Sequence, residues 1–457
     1  MTYQTINPYT NQLVKTYPDS SDDDLERALS LGHGLYKKWR QEPAATRSQS
    51  LHTIASSMRK KKDELAQLMT LEMGKRIQEA EFEVDLCADI ADYFADESEN
   101  FLRPTPLVTK AGKAYVVKQA IGVLMMVEPW NFPYYQIMRV FAPNYMLGNP
   151  MILKHASNVP GCAQAFADLV REAGAPEGSI TNLFLNYDQV DAAIADKRLA
   201  GVALTGSERG GSSVAQTAGK YLKKSTMELG GNDVFIVLDD ADMDLVKQMA
   251  PGARLGNAGQ VCCASKRFVV MDNLYDDFLS SMVEAFRKPE PGDPADPATT
   301  LAPLSSVGAR DKLQEQVDAA VAAGAQVAVG NERIDSPGAF FRPTILTGID
   351  SSNPAYDQEM FGPVAAVYKV GSEQEAIDLA NDSSYGLGSV VMSQDPDRAD
   401  RVARAIETGM GFINGGWTTA PELPFGGVKN SGYGRELYTY GFDAFTNEHL
   451  ILSYQQD

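Results

Sequence analysis

The spacing of apolar residues changes along the chain. From Asp22 to about Glu99, Leu51, Ile54, Met58, Leu65, Leu68 and Met69 recur at helical intervals, with Arg59 to Lys62 on a solvated face. That pattern predicts a run of amphipathic helices. Across 101–119 it turns extended, with Pro104, Pro106, Leu107 and Val108, then Tyr115, Val116 and Val117, on either side of a Lys110-Ala111-Gly112-Lys113 turn. Such an arrangement reads as a hairpin. Beyond it, short apolar runs alternate with helical stretches. Strands are predicted at 121–127, 151–153, 182–185, 202–204, 235–238 and 268–271, with helices at 159–173 and 245–255 between them. A second series follows: helix 309–323, strand 364–369, helix 373–380, strand 389–392, helix 396–408 and strand 411–414. Strands alternating with helices imply mostly parallel α/β sheets. Two such series suggest two domains with a cleft between them, divided near 228–232, where Gly230-Gly231 interrupts the pattern. The tail, 444–454, reads as a strand that leaves the body.

Composition narrows the partners. The 457 residues are 44% hydrophobic and 22% charged, which excludes a disordered or collagen-like chain. Lys and Arg number 41 against 60 Asp and Glu, a formal charge of −19. That balance argues against nucleic acid or an acidic membrane face as the main partner. Four cysteines, Cys87, Cys162, Cys262 and Cys263, show no CxxC spacing and fit a reducing compartment. The polar start and the lack of an apolar run near ~18 residues leave a cytoplasmic protein as the expectation. His33, His52, His155 and His449 are scattered, so no metal site is expected.

Six segments could carry chemistry. Glu128-Pro129-Trp130-Asn131-Phe132-Pro133 follows a strand, and its prolines stiffen a turn from which Asn131 can aim an amide or cap a helix. Leu204-Thr205-Gly206-Ser207 leads from a strand into a helix, where small residues permit close approach of a phosphate, although an ordinary βα turn reads the same way. Met227-Glu228-Leu229-Gly230-Gly231 puts a carboxylate at the domain break, as a cleft base or a strand-end residue. Gly259-Gln260-Val261-Cys262-Cys263 sets two thiols on a loop. One is expected to face the cleft and the other to pack. Glu359-Met360-Phe361-Gly362-Pro363 and Leu423-Pro424-Phe425-Gly426-Gly427, running on to Gly434-Arg435-Glu436, are merely loops when read alone.

In this order and spacing, the six segments resemble the NAD(P)-dependent aldehyde dehydrogenase superfamily, over nearly the whole chain. Glu72-Met73-Gly74-Lys75, Gly292-Asp293-Pro294 and Asp239-Asp240-Ala241-Asp242 add to the likeness. The resemblance implies an α/β fold with a Rossmann-like cofactor domain (1–100 and 121–228), a catalytic α/β domain (229–420) and a β oligomerisation arm (101–120 and 440–457). It implies a homodimer or homotetramer. Cys262 resembles the nucleophile, Glu228 the general base, and Asn131 the oxyanion-binding amide. Trp130, Thr205, Gly206, Ser207, Glu359 and Phe361 resemble the cofactor contacts. Lys154 matches the family lysine near the adenosine ribose, and Ser157 stands where NAD-preferring members commonly place Glu. A Glu there would repel a 2′-phosphate, so NADP is expected to be preferred, with NAD possible.

For the substrate, Arg139, Gly256 and Thr419 fall where enzymes for apolar aldehydes are mostly aromatic, while Phe425 keeps an aromatic. The stretch from Pro129 to Arg139 resembles succinate-semialdehyde dehydrogenases, in which an arginine at that place implies a substrate carboxylate. Gly256 departs from members with a second arginine there, and Thr419 from members with Ser. Trp417 is expected to narrow the entrance. The alternatives are the same chemistry on another small aldehyde and a catalytically silent structural homologue.

Overall fold

The computed structural model describes residues 2–454. Helices Asp22–Trp39, Ala45–Lys60, Lys62–Met73 and Ile77–Phe101 form the predicted helical layer. The first is opened by a capping box between Ser21 and Asp24, and the third is ended by Gly74 in the left-handed conformation. Leu51, Ile54, Met58, Leu65 and Met69 are fully buried, as their spacing predicts.

Two sheets follow. The first has the order Gly432–Tyr433, Lys224–Glu228, Leu199–Thr205, Val123–Glu128, Met151–His155 and Ile180–Asn182. Every neighbour pair is parallel except the one with Gly432–Tyr433. Glu128, His155, Thr205 and Glu228 therefore end their strands along one edge, where open α/β sheets bind ligands. The second sheet runs Gln326–Val329, Thr344–Thr347, Val364–Val370, Arg267–Met271, Val234–Val237, Gly388–Met392 and Met410–Ile413. The chain crosses from the first sheet to the second between Glu228 and Val234, at the interruption expected from Gly230-Gly231. A third sheet joins Thr105–Leu107 and Gly112–Ala120 to Thr446–Tyr454, which pairs along the whole strand from Ala120 to Gly112. Of the expected arm, 455–457 lie outside the described residues.

One expected strand is shifted, and two elements have no counterpart among the predicted ones. The strand expected at 182–185 is Ile180–Asn182. A hairpin, Tyr3–Asn7 with Gln12–Tyr17, precedes the helices; its second strand is exposed throughout or nearly so and has no apolar alternation. Helix Tyr135–Leu147 has no solvated face, because all 13 of its residues are buried. A helix covered on every side shows no amphipathic period. Its first turn is tied down from outside: the Tyr134 and Tyr135 N–H groups donate to Glu83 Oε1 at 2.9 and 3.1 Å. Glu83 also pairs with the buried Lys75 ammonium.

Candidate active site

The turn bearing Cys262 is shaped before the cysteine is reached. Asn257 and Ala258 have φ of 52° and 51°, left-handed values that residues with a Cβ seldom adopt. Gly259 follows at φ 75°, and a Cβ there would collide with the Gly362 carbonyl. Arg254 holds this approach rigid. It is fully buried and donates to the carbonyls of Gly259, Met360, Gly362 and Val364. One guanidinium thus joins the nucleophile turn to the loop carrying Glu359 and Phe361.

Cys262 is half-buried and Cys263 buried, so the two thiols divide as expected. The Cys262 thiol is brought down to about 7, first by its hydrogen bond with Cys263 and then, against burial, by the Arg139 and Lys266 charges. Two cavities meet at this residue. One, of about 300 Å³, is lined by Phe82, Phe132, Tyr135, Arg139, Gly256, Trp417, Thr419 and Phe425. The other, of about 430 Å³, is lined by Trp130, Asn131, Thr205, Gly206, Ser207, Glu359 and Phe361. Among the described residues, only Cys262 and Gln136 line both.

Asn131 is 3% exposed and reaches the larger cavity. Its Nδ2 donates to the Gln260 carbonyl at 3.1 Å. An amide nitrogen carries two hydrogens, and the second has no acceptor among the described residues. Glu228, the last residue of its strand, is 2% exposed, and neither carboxyl oxygen has a hydrogen-bond partner among the described residues. Burial, then the like charge of Glu436, pushes its carboxyl well above the usual carboxylate range, while Arg139 opposes the shift. A buried base raised in this way is matched to proton transfer near neutral pH. Gly426, at φ 148°, makes room for it: a Cβ there would sit 2.6 Å from Glu228 Oε1.

On the side of the larger cavity, Ser207 caps helix Glu208–Lys220 and accepts the Gly210 N–H at 3.4 Å. Thr205 and Gly206 precede it at the strand end; the Gly206 N–H donates to the Glu228 carbonyl at 2.9 Å, so it is the exposed Ser207 and the helix N-terminus it opens that border the cavity. Trp130 and Phe361 form an edge-to-face pair with ring centroids 5.6 Å apart. Glu359 Oε1 accepts the Gly231 N–H at 3.0 Å. Lys154 and Ser157 do not line this cavity. They lie beyond it at the same sheet edge, with Lys154 paired in register to Val127, three residues before Trp130. Lys154 forms no ion pair among the described residues; its ammonium lies 5.8 Å from the ring centroids of Tyr3 and Tyr187. Burial lowers it to about 8.

In the smaller cavity, Thr419 Oγ1 meets the Tyr135 hydroxyl at 2.6 Å. Arg139 is 1% exposed, with its guanidinium over the Phe425 and Tyr135 rings at 4.3 and 5.0 Å. Nε pairs with Glu436 Oε2 at 2.5 Å and Nη2 donates to Thr205 Oγ1 at 3.3 Å. Nη1 has no partner among the described residues. No role for Gln136, Arg254, Lys266, Glu83 or Glu128 could be read from the chain alone. Glu436 was visible only as the end of the Gly434-Arg435-Glu436 segment, and its pairing with Arg139 could not be inferred across 297 positions of sequence.

The model of the aldehyde dehydrogenase family matches residues 1–451, and the chain belongs to that family. Among its relatives, the NADP-dependent succinate-semialdehyde dehydrogenase of Deinococcus radiodurans is 46% identical over 452 residues, covering 99% of this chain and 95% of that one. The corresponding enzyme of Mycobacterium avium is 42% identical over 455 residues, 99% of this chain and 96% of its own. The crystal structure of succinic semialdehyde dehydrogenase from Streptococcus pyogenes in complex with NADP+ superposes with a TM-score of 0.98 at 56% identity, covering 99% of this chain and 100% of that one.

Proposed function

We propose that the protein oxidises succinate semialdehyde to succinate with NADP+, through a thioester on Cys262. The observation that carries this reading is the position of Cys262 where the two cavities join, within the charge field of Arg139. The aldehyde approaches from the smaller cavity and the Cys262 thiolate bonds to its carbonyl carbon. The oxygen that gains the electron pair is held by the free N–H of Asn131 Nδ2 and the Cys262 backbone N–H. Collapse of this thiohemiacetal expels hydride and leaves the thioester. A nicotinamide cofactor in the larger cavity would supply the hydride acceptor, and the residues around that cavity suit it. Ser207 at the N-terminus of helix Glu208–Lys220 suits a pyrophosphate, with Thr205 and Gly206 leading up to it; Glu359 offers an acceptor for ribose hydroxyls, and Trp130 and Phe361 an aromatic wall. Glu228 then removes a proton from the water that attacks the thioester, and succinate leaves with the thiolate restored.

The substrate carboxylate is read as a ligand of the unpaired Arg139 Nη1, with Thr419 beside it. Lys154 and Ser157, at the far end of the sheet edge, are read as the ribose 2′-phosphate contacts that favour NADP, with NAD as a poorer substitute. In the same reading, 1–100 and 121–228 form the cofactor domain and 229–420 the catalytic domain. The segments 101–120 and 440–457, whose described part forms the three-stranded sheet, are the arm of a homodimer or homotetramer. Leu107, Val108, Leu450 and Tyr454 on that sheet or its connecting turn are exposed, as an arm awaiting a second subunit requires. No helix among the described residues is long and apolar enough to cross a membrane; a cytoplasmic location belongs to this proposal.

The test is steady-state formation of reduced cofactor with a panel of aldehydes. Succinate semialdehyde is expected to give the highest kcat/KM, and higher with NADP than with NAD. A panel in which uncharged aldehydes of the same length match it would favour another small aldehyde. No turnover with any aldehyde would favour a silent homologue.

A further inference from the structure

Lys266 takes no part in the chemistry above, yet it touches both halves of the site. It lies four residues after the nucleophile, is 3% exposed, and leads into strand Arg267–Met271. Its ammonium donates to the carbonyl oxygens of Val261 and Cys262, at 3.0 and 2.5 Å, and stands 3.2 Å from Glu359 Oε1. An ammonium has three N–H donors. Two are placed on consecutive carbonyls of the nucleophile turn and the third faces the carboxylate in the wall of the larger cavity. Arg254 makes a similar join farther from the thiol, but through carbonyls alone. Lys266 makes it through a carboxylate that a ligand in the larger cavity can engage.

We propose that Lys266 is a positioning residue that ties the thiol-bearing turn to Glu359, so that the reactivity of Cys262 responds to the state of that carboxylate. The proposal rests on the reading of Cys262 as nucleophile and Glu359 as a cofactor contact. Fixing the Val261 and Cys262 carbonyls orients the peptide plane between them, and with it the Cys262 N–H on which the oxyanion depends. The ammonium also favours the thiolate, whereas Glu359, as an anion, opposes it. When ribose hydroxyls draw Glu359 away, its neutralising hold on Lys266 weakens and the thiolate gains. The other groups facing the thiol are Cys263 beside it, Arg139 from helix Tyr135–Leu147, and Glu228 and Asp233 from the crossing between the sheets.

The experiment is alkylation of the intact protein by iodoacetamide as a function of pH, without aldehyde or cofactor, with Cys262 resolved from Cys263 by tandem mass spectrometry. Lys266→Gln should move the midpoint for Cys262 upward by about one pH unit, the usual effect of one nearby opposite charge. Lys266→Arg should restore most of that shift. Glu359→Gln should move the midpoint downward. The KM for NADP should rise several-fold in Lys266→Gln, with no further rise in the double variant carrying Glu359→Gln. Unchanged midpoints in both single variants would overturn the proposal. Should Lys266→Gln fail to fold, Glu359→Gln decides alone, because glutamine keeps the side chain's size and an oxygen to accept the Gly231 N–H; a midpoint that stays or rises refutes the link. Alkylation needs no substrate, so a wrong aldehyde assignment leaves this test standing. Retained activity in Cys262→Ser would instead sink the reading of the site itself.

Discussion

The two cavities that meet at Cys262 recognise their ligands by different means. The larger one is built at strand ends and turns: Thr205 and Gly206 lead into the exposed Ser207 at a helix N-terminus, and Glu359 is held by a peptide N–H. The smaller one is a sleeve of side chains, with Phe82, Phe132, Tyr135, Trp417 and Phe425 around the Arg139 guanidinium, while Lys75 and Arg76 in the same wall are paired with Glu83 and Glu79. Close backbone approach demands glycine and small residues at fixed places. A side-chain sleeve demands only shape and one well-placed charge. The first kind of site should lose function when its local geometry is disturbed. The second should change specificity when one residue is exchanged.

The sharpest break is at the junction itself. Cys262→Ser should abolish reduced-cofactor formation, a loss on the order of 10³-fold or more, while leaving cofactor affinity, measured by fluorescence titration, intact. Glu228→Gln should lower kcat by roughly 10²–10⁴-fold, the range for a lost general base. Its first turnover should still release a burst of reduced cofactor, because only the water step needs the base. A vanished burst would place Glu228 earlier in the reaction. In the unaltered protein both groups act in their deprotonated forms, Cys262 above about 7 and Glu228 above its raised value. Turnover should therefore climb as pH rises from 6 through 8. Asn131→Ala should cost about 3–4 kcal/mol of barrier, seen as a fall of roughly 10²–10³-fold in kcat.

The smaller cavity responds differently. Arg139→Ala should raise KM for succinate semialdehyde by at least tenfold and KM for butyraldehyde only slightly. Removing this cation also leaves Glu436 buried without its partner, which typically costs ~3–5 kcal/mol of stability. The ratio of the two aldehydes within one folded preparation is insensitive to that loss. Equal effects on both aldehydes would mean that Arg139 serves Glu436 and the Thr205 strand end rather than the substrate.

The same contrast explains what could be read from the chain before the fold was known. Four strands of the first sheet, the helical layer and the six chemistry-bearing segments were legible because each carries a local signature, such as an apolar run or a glycine beside a functional residue; Lys224–Glu228 and Gly432–Tyr433 in the same sheet carry no apolar run and were not predicted. Helix Tyr135–Leu147 was not, since burial on all sides erases its period, and it is this helix that brings Arg139 to the site. The buried polar partners were also hidden. Glu83, Arg254, Lys266 and Glu436 act through contacts that span distant parts of the chain, or through carbonyl groups that every residue possesses. No spacing marks such a residue. Cavity by cavity, backbone recognition leaves a motif in the sequence and side-chain recognition leaves little more than an odd residue, here an arginine in an apolar stretch.

Cofactor choice falls between these two kinds of recognition and has the smallest expected effect. Lys154 and Ser157 lie outside the wall of the larger cavity, so only the far end of the cofactor can reach them. Ser157→Glu should lower kcat/KM with NADP by roughly 10–100-fold through charge repulsion and leave NAD nearly unchanged. Lys154 supplies the attraction and carries its charge only below about 8. As pH rises from 7 to 9 the ammonium loses its proton, while a 2′-phosphate stays doubly charged, so the attraction fades. The ratio of NADP to NAD affinities, measured by titration of the free protein, should then narrow. Because the same ammonium lies beside two tyrosine rings and no carboxylate among the described residues, nothing else in its surroundings compensates for the lost charge. A ratio that holds constant over that range would show that Lys154 packs against Tyr3 and Tyr187 without touching the phosphate, and Ser157 would then have to carry the preference by hydrogen bonding alone.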